Sequence, residues 1–290
     1  MEKGACALLH LYVKEVYHAL DTVTIHLEQK TMKIAEKRCV VLDMDGTVYL
    51  GSIPITGAVD FIKNYWDRLD FYFLSNNTSK SPDTYVKRLN SMGIPATLDL
   101  ILSPTTPLVD FLKENGIHTA YIVGNRDFQR DLAQRMPELK QQEEGAQAVI
   151  LAYDTELTYE KLARSAIVLE NHPEVLFLAT HPDKVCPSPE GPLPDVGSML
   201  ALYKVATGRE PQHIFGKPLP AVLQPLLKKY RKEEMVMVGD RLSTDKKLAE
   251  NAGIDSIVVL SGEATLEETL AEEIQPTVIA EHLGAAWEDA

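Results

Sequence analysis

The sequence predicts an α/β fold built on a doubly wound parallel sheet, and three observations carry that reading. Short apolar runs recur and are each stopped by polar or glycine residues: Cys39-Val40-Val41-Leu42 before Asp43, Phe71-Tyr72-Phe73-Leu74 before Ser75-Asn76-Asn77, and Met235-Val236-Met237-Val238 before Gly239-Asp240. Runs without polar alternation suit strands buried on both faces. Helical patterns lie between them, and this alternation argues for parallel pairing through right-handed crossovers. A length of 290 residues suits two domains, one inserted in the other.

Residues 1–35 are expected as an appendage of one or two amphipathic helical turns, and Met32 offers an alternative start. After the first strand a helix is expected over 57–68, with Val59, Phe61, Ile62, Tyr65 and Trp66 on its apolar side. Pro82 opens another helix, where its missing N–H costs nothing, and Gly93 closes it. Strands are expected at 121–123, 148–151 and 175–178, with helices at 126–135, 158–171 and 196–207. The stretch from Pro182 to Pro194 is too punctuated for a helix or central strand and reads as a surface loop. His213-Ile214-Phe215 is a strand stopped by Gly216-Lys217-Pro218. Leu219, Val222, Leu223, Leu226, Leu227 and Tyr230 then form a helical stripe that Pro225 should kink. A last strand is expected at 256–260.

Composition narrows the function. Hydrophobic residues make up 45% and the net charge is −13, which suits globular cores and argues against nucleic-acid or anionic-membrane partners. Three cysteines without paired spacing suggest a reducing compartment, and neither a disulfide framework nor a zinc site. No apolar run approaches the ~20 residues of a membrane span, and the start lacks a signal-peptide pattern, so a cytoplasmic location is expected.

The punctuated strand ends carry the chemistry. In open α/β sheets ligands bind outside the carboxyl ends of the strands, so Asp43, Asp45, Ser75, Asn76, Lys217 and Asp240 should share one crevice. Asp43, Asp45 and Asp240 make an oxygen-rich site suited to Mg2+. Lys217 and the Ser75 hydroxyl add donors for phosphate oxygens. A carboxylate attacking a phosphate dianion meets repulsion of about 4 kcal/mol per charge pair at about 4 Å and an effective dielectric near 20. Mg2+ and Lys217 can offset it. Asp43 then suits a covalent nucleophile, and Asp45, crowded by its neighbour, could protonate the leaving alcohol.

These motifs together resemble the haloacid dehalogenase-like hydrolases. Asp43-Met44-Asp45-Gly46-Thr47-Val48 resembles their first motif, Ser75-Asn76-Asn77 their second, Gly216-Lys217-Pro218 their third, and Gly239-Asp240-Arg241-Leu242-Ser243-Thr244-Asp245 their fourth. The fourth is similar to the class IIA branch, the NagD-like and p-nitrophenyl phosphatase group. The resemblance implies a Rossmann-like core at 36–116 and 212–290 with an inserted α/β cap at 117–211. It implies Asp43 as a nucleophile forming an aspartyl-phosphate and Asp45 as general acid and then base. Mg2+ would be held by Asp43, the backbone carbonyl of Asp45, and Asp240, with Asp245 beside them as a ligand or a supporting carboxylate. Ser75, the Asn76 backbone and Lys217 would hold the phosphoryl group. His181 and Asp183 stand where the cap would read a small phosphorylated metabolite, and a homodimer through the cap is implied by resemblance alone. Three departures from the family pattern (His181, the Pro194-Asp195-Val196-Gly197 stretch and Lys246) leave the substrate open. Two other functions compete: a phosphomutase, whose cap would lie between the first two motifs, and a non-catalytic phosphometabolite-binding protein on the same fold.

Overall fold

The computed structural model describes residues 30–188 and 190–288. Among them, two parallel sheets carry the architecture, one of six strands and one of five. The first runs in the order Val278–Ala280, Asp255–Val259, Met235–Gly239, Cys39–Asp43, Asp70–Leu74, Ile101–Leu102. Its central strands carry unbroken apolar runs, Cys39 to Leu42, Phe71 to Leu74 and Met235 to Val238, because both faces are covered. Val40 and Leu42 join Phe71, Phe73, Val236 and Val238 in one cluster, under the helix Thr56–Asn64. Cys39 and Val41 join Tyr72, Leu74, Met235 and Met237 in another, under the helix Lys247–Ala252. Side chains alternate across a strand, so one unbroken run feeds two cores. Each fully buried Leu, Val or Phe stabilises the fold by about 1.5–3 kcal/mol.

The second sheet runs His213–Ile214, Leu176–Ala179, Ala148–Leu151, Thr119–Val123, Lys140–Gln141. Helices Thr105–Glu114 and Arg126–Arg135 cover one face, and Tyr159–Asn171 and Val196–Thr207 the other. Two placements differ from the sequence reading. The helix Thr105–Glu114 packs on this second sheet through Leu108, Val109 and Leu112, although it precedes residue 117. The strand His213–Ile214 pairs with Leu178 and Ala179 here, although it follows residue 211. The two chain crossings lie side by side: a Cβ added at Gly216 would stand 2.9 Å from Pro104 Cγ.

Other differences are local. The helix expected from Leu219 is split into a 3-10 turn, Pro220–Leu223, and a short α-helix, Gln224–Leu227, since Pro225 lacks an N–H and crowds the preceding turn. Its apolar stripe survives in the burial of Val222, Leu223, Leu226 and Tyr230. The stretch at 182–194 contains a two-residue antiparallel ladder, Val185–Cys186 with Leu193–Pro194. Most of the extension expected at 1–35 lies outside the described residues. Its end does not stand apart: Met32–Lys33 pairs in parallel with Trp287–Glu288, and Met32 and Ile34 are buried. No described helix is long and apolar enough to cross a membrane.

Candidate active site

Three strands of the first sheet deliver functional groups at their carboxyl ends. Asp43 closes one strand, Ser75 and Asn76 follow the next, and Asp240 follows Gly239 on the third. Lys217 arrives differently, on the return crossing just after the edge strand of the second sheet. The Lys217–Pro218 peptide bond is cis.

Carboxylate oxygens of Asp43, Asp240 and Asp245 lie within 4.8 Å of one another. The Lys217 ammonium, 3% exposed as a residue, bonds Asp43 Oδ1 and lies 2.6 Å from Asp245 Oδ1. Burial and the neighbouring Asp245 and Asp240 raise the Asp43 carboxyl well above the usual carboxylate range, although Lys217 pulls it down. Asp240 is pushed up to about 6, first by burial and then by Asp245, against the Glu263 amide, Arg241 and Lys217. Burial lowers the Lys217 amine, but Asp245 and Asp43 outweigh it and leave the amine raised. Asp240 Oδ2 accepts the Glu263 N–H at 2.8 Å, while its buried Oδ1 has no hydrogen-bond partner. Three crowded hard oxygen donors, one left unpaired, fit a divalent cation that would relieve their repulsion.

Glycines permit this crowding. A Cβ at Gly46, where φ is +88°, would come 2.2 Å from Asp240 Oδ2, and one at Gly262 would come 2.0 Å from it. Only residues without a side chain let two backbone segments close on that carboxylate. The chain after Asp240 forms a π-helical turn, Leu242–Lys246, which brings Asp245 back so that its Oδ2 accepts the Arg241 N–H at 3.1 Å.

Beside this cluster lies a cavity of about 90 Å3, lined by Asp43, Asp45, Ser75, Asn76, Asp183 and Lys217 among others. Asp45 stands apart from the three crowded carboxylates: it is exposed, and its Oδ1 accepts the Gly51 N–H at 3.3 Å. The Ser75 hydroxyl accepts the Asn77 N–H at 3.2 Å and donates to the Tyr85 oxygen at 3.3 Å. Asp183 reaches the cavity from the loop after Leu176–Ala179 and accepts from Asn76 Nδ2 at 3.1 and 3.3 Å. His181 does not reach it. Wholly buried, its Nε2 pairs with Asp195 Oδ1 and its Nδ1 with Thr180 Oγ1, both at 3.0 Å. A larger groove of about 890 Å3 lies around Lys37, Arg38 and Asp255, at the amino ends of the strands, away from these groups.

Sequence reasoning missed several lining residues. Arg88 stacks over the Tyr49 ring at 4.4 Å, and Tyr85 shares its helix, Pro82–Ser91. Their i, i+3 spacing puts them on one helix face and was a usable signal. Arg241 joins Glu263 at 2.9 Å and approaches Asp183 at 3.9 Å. It stood inside the fourth motif without a role.

Two family models match the chain, one described as haloacid dehalogenase-like hydrolase over residues 40–135 and one as HAD-hydrolase-like over 214–286. An acid sugar phosphatase of Staphylococcus epidermidis is 31% identical over 252 residues, covering 85% of this chain and 95% of that protein. The chain belongs to the haloacid dehalogenase-like hydrolases. Within this family it falls in the class IIA branch of NagD-like phosphatases. A solved 4-nitrophenylphosphatase from Thermotoga maritima is 36% identical with a TM-score of 0.81, over 87% of this chain and 97% of that one. A glycerol phosphate phosphatase from Mycobacterium tuberculosis, solved with magnesium, is 29% identical with a TM-score of 0.80, over 89% and 79%.

Proposed function

We propose that the chain is a Mg2+-dependent phosphomonoester hydrolase working through a phosphorylated Asp43. The observation that carries this reading is one buried amine, Lys217, bonded to Asp43 and Asp245 beside an Asp240 oxygen without a partner. An Asp43 oxygen attacks phosphorus, the bond from phosphorus to the leaving oxygen breaks, and Asp45 gives that oxygen its proton. Asp45, now ionised, takes a proton from water as the water oxygen attacks phosphorus, which frees Asp43 and inorganic phosphate. The Ser75 hydroxyl, the Asn76 backbone and Lys217 hold the phosphoryl oxygens. Asp43, Asp240 and the Asp45 carbonyl, with Asp245, would hold Mg2+, which when bound supplies positive charge against repulsion between carboxylate and phosphate.

The second sheet with its helices acts as the cap in this reading. The limits expected at 117 and 211 are widened to take in the helix Thr105–Glu114 and the strand His213–Ile214, which share its packing and pairing. The substrates are small phosphomonoesters. The names of the sugar phosphatase and glycerol phosphate phosphatase relatives support this.

Hydrolysis of p-nitrophenyl phosphate with and without Mg2+ tests the reading. Turnover that needs Mg2+ and vanishes in Asp43→Asn is expected. A folded protein that turns over no phosphate ester would favour phosphometabolite binding without catalysis.

A further inference from the structure

We propose that Asp183 is a positioning residue, which ties the docking of the second domain to the aim of the Lys217 ammonium through the Asn76 side chain. The inference rests on the hydrolase reading and assigns Asp183 a different role from substrate recognition.

The position of Lys217 links its amine to both sheets. It stands on the return crossing between the two sheets, one residue beyond Gly216, whose N–H donates to Thr180 O at 2.6 Å. Any shift of the second domain therefore acts on the backbone that carries the amine. The Asn76 side chain, on the first sheet's side, clamps that backbone twice. Its Oδ1 accepts the Lys217 N–H at 2.8 Å, and its Nδ2 donates to Lys217 O at 3.0 Å. The remaining Nδ2 hydrogen is shared between the two Asp183 oxygens at 3.1 and 3.3 Å. The amide of Asn76, itself 5% exposed, is thereby fixed in one orientation.

Asp183 is held in turn. Its carbonyl oxygen accepts the Gly197 N–H at 2.7 Å, and a Cβ at Gly197 would come 2.3 Å from Pro182 O, so only glycine lets that helix start close on the loop. Arg241, within the fourth motif, places a positive charge 3.9 Å from the carboxylate. A carboxylate in this position would repel a phosphate dianion, and its oxygens face protein donors. Its effect on the reaction passes through Asn76 to Lys217.

The test compares wild type, Asp183→Ala, Asp183→Asn, Asn76→Ala and the Asn76→Ala/Asp183→Ala double variant. Each is assayed with Mg2+ on p-nitrophenyl phosphate and on glycerol phosphate, with thermal unfolding recorded for each. Asp183→Ala should lower kcat by roughly 10- to 100-fold on both substrates with little change in KM, the size expected for a reacting group displaced by about 1 Å. Asp183→Asn, which keeps an acceptor for Asn76, should recover most of that loss. The double variant should be no slower than Asn76→Ala alone, because the two residues act in series. Wild-type kcat in Asp183→Ala, or a loss confined to KM for glycerol phosphate, would overturn the inference and leave the hydrolase reading intact. A loss of kcat that follows the drop in unfolding temperature, unrecovered by Asn and additive with Asn76→Ala, would also overturn it. A wild type without turnover would overturn both.

Discussion

The Lys217 ammonium lies 2.6 Å from Asp245 Oδ1 and also bonds Asp43, so one buried amine balances two carboxylates drawn from distant parts of the chain. Its removal should therefore damage chemistry and local packing together. Lys217→Ala is expected to lower kcat on p-nitrophenyl phosphate by roughly 100- to 1000-fold, the cost typical of losing one preorganised donor. Lys217→Arg should not restore it, because the planar guanidinium cannot occupy a point-charge site between two carboxylates. Steady-state kinetics with circular dichroism to confirm folding checks both. Near-normal turnover in the alanine variant would remove Lys217 from the site.

Asp45 is exposed beside the cavity while Asp43 is held in the buried cluster, a division that suits a proton donor facing the leaving group. Asp45→Asn should slow hydrolysis of an alkyl phosphate by at least about 100-fold, the lower end of what general acid catalysis supplies, and that of p-nitrophenyl phosphate much less. The ratio of the two rate losses is the measurement. Equal losses on both substrates would count against Asp45 as the acid.

The Asp43, Asp240 and Asp245 oxygens, crowded within 4.8 Å, should bind a divalent cation only in the folded protein. Mg2+ at about 100 times its dissociation constant is expected to stabilise the protein by about 2.7 kcal/mol relative to chelator, seen as a rise in melting temperature. Asp240→Asn should abolish most of that rise, since its Oδ1 is the oxygen left without a partner. An unchanged Mg2+ response in that variant would place the cation elsewhere.

Lys246 is buried where an apolar residue is commoner in the family pattern, and it bonds Glu250 and, at 2.8 Å, Glu272. Lys246→Ala should destabilise the fold by about 3 kcal/mol, the lower end for breaking a buried ion pair, because Glu272 can turn to water. Lys246→Met, which keeps the apolar stem, should lose less. Urea midpoints measure the difference, and equal losses would show that the charge, not the stem, matters.

The central strands and the groups at their ends were legible in the sequence because both signals are local. A strand buried on both faces needs an apolar residue at every position, as at Val40, Val41 and Leu42, and its carboxyl end shows as the first polar residue, as at Asp43. The helix Val196–Thr207 was equally plain, with Asp195 accepting the Val196 N–H at its start and Gly208 in the left-handed conformation at its end. Ile101–Leu102, Lys140–Gln141 and Val278–Ala280 were not, since two or three residues at or near a sheet edge carry no period. Nor could the chain's order reveal that His213–Ile214 pairs with Leu178 and Ala179 rather than joining the first sheet, because pairing is chosen by partners far apart along it. The same holds for Asn76 against Asp183 and for Lys246 against Glu272. Local composition determined which residues could do chemistry on phosphate. Only the tertiary packing decided which of them meet, because a carboxylate, an amide and an amine acquire their working state from the charges and donors that long-range contacts bring within hydrogen-bonding distance.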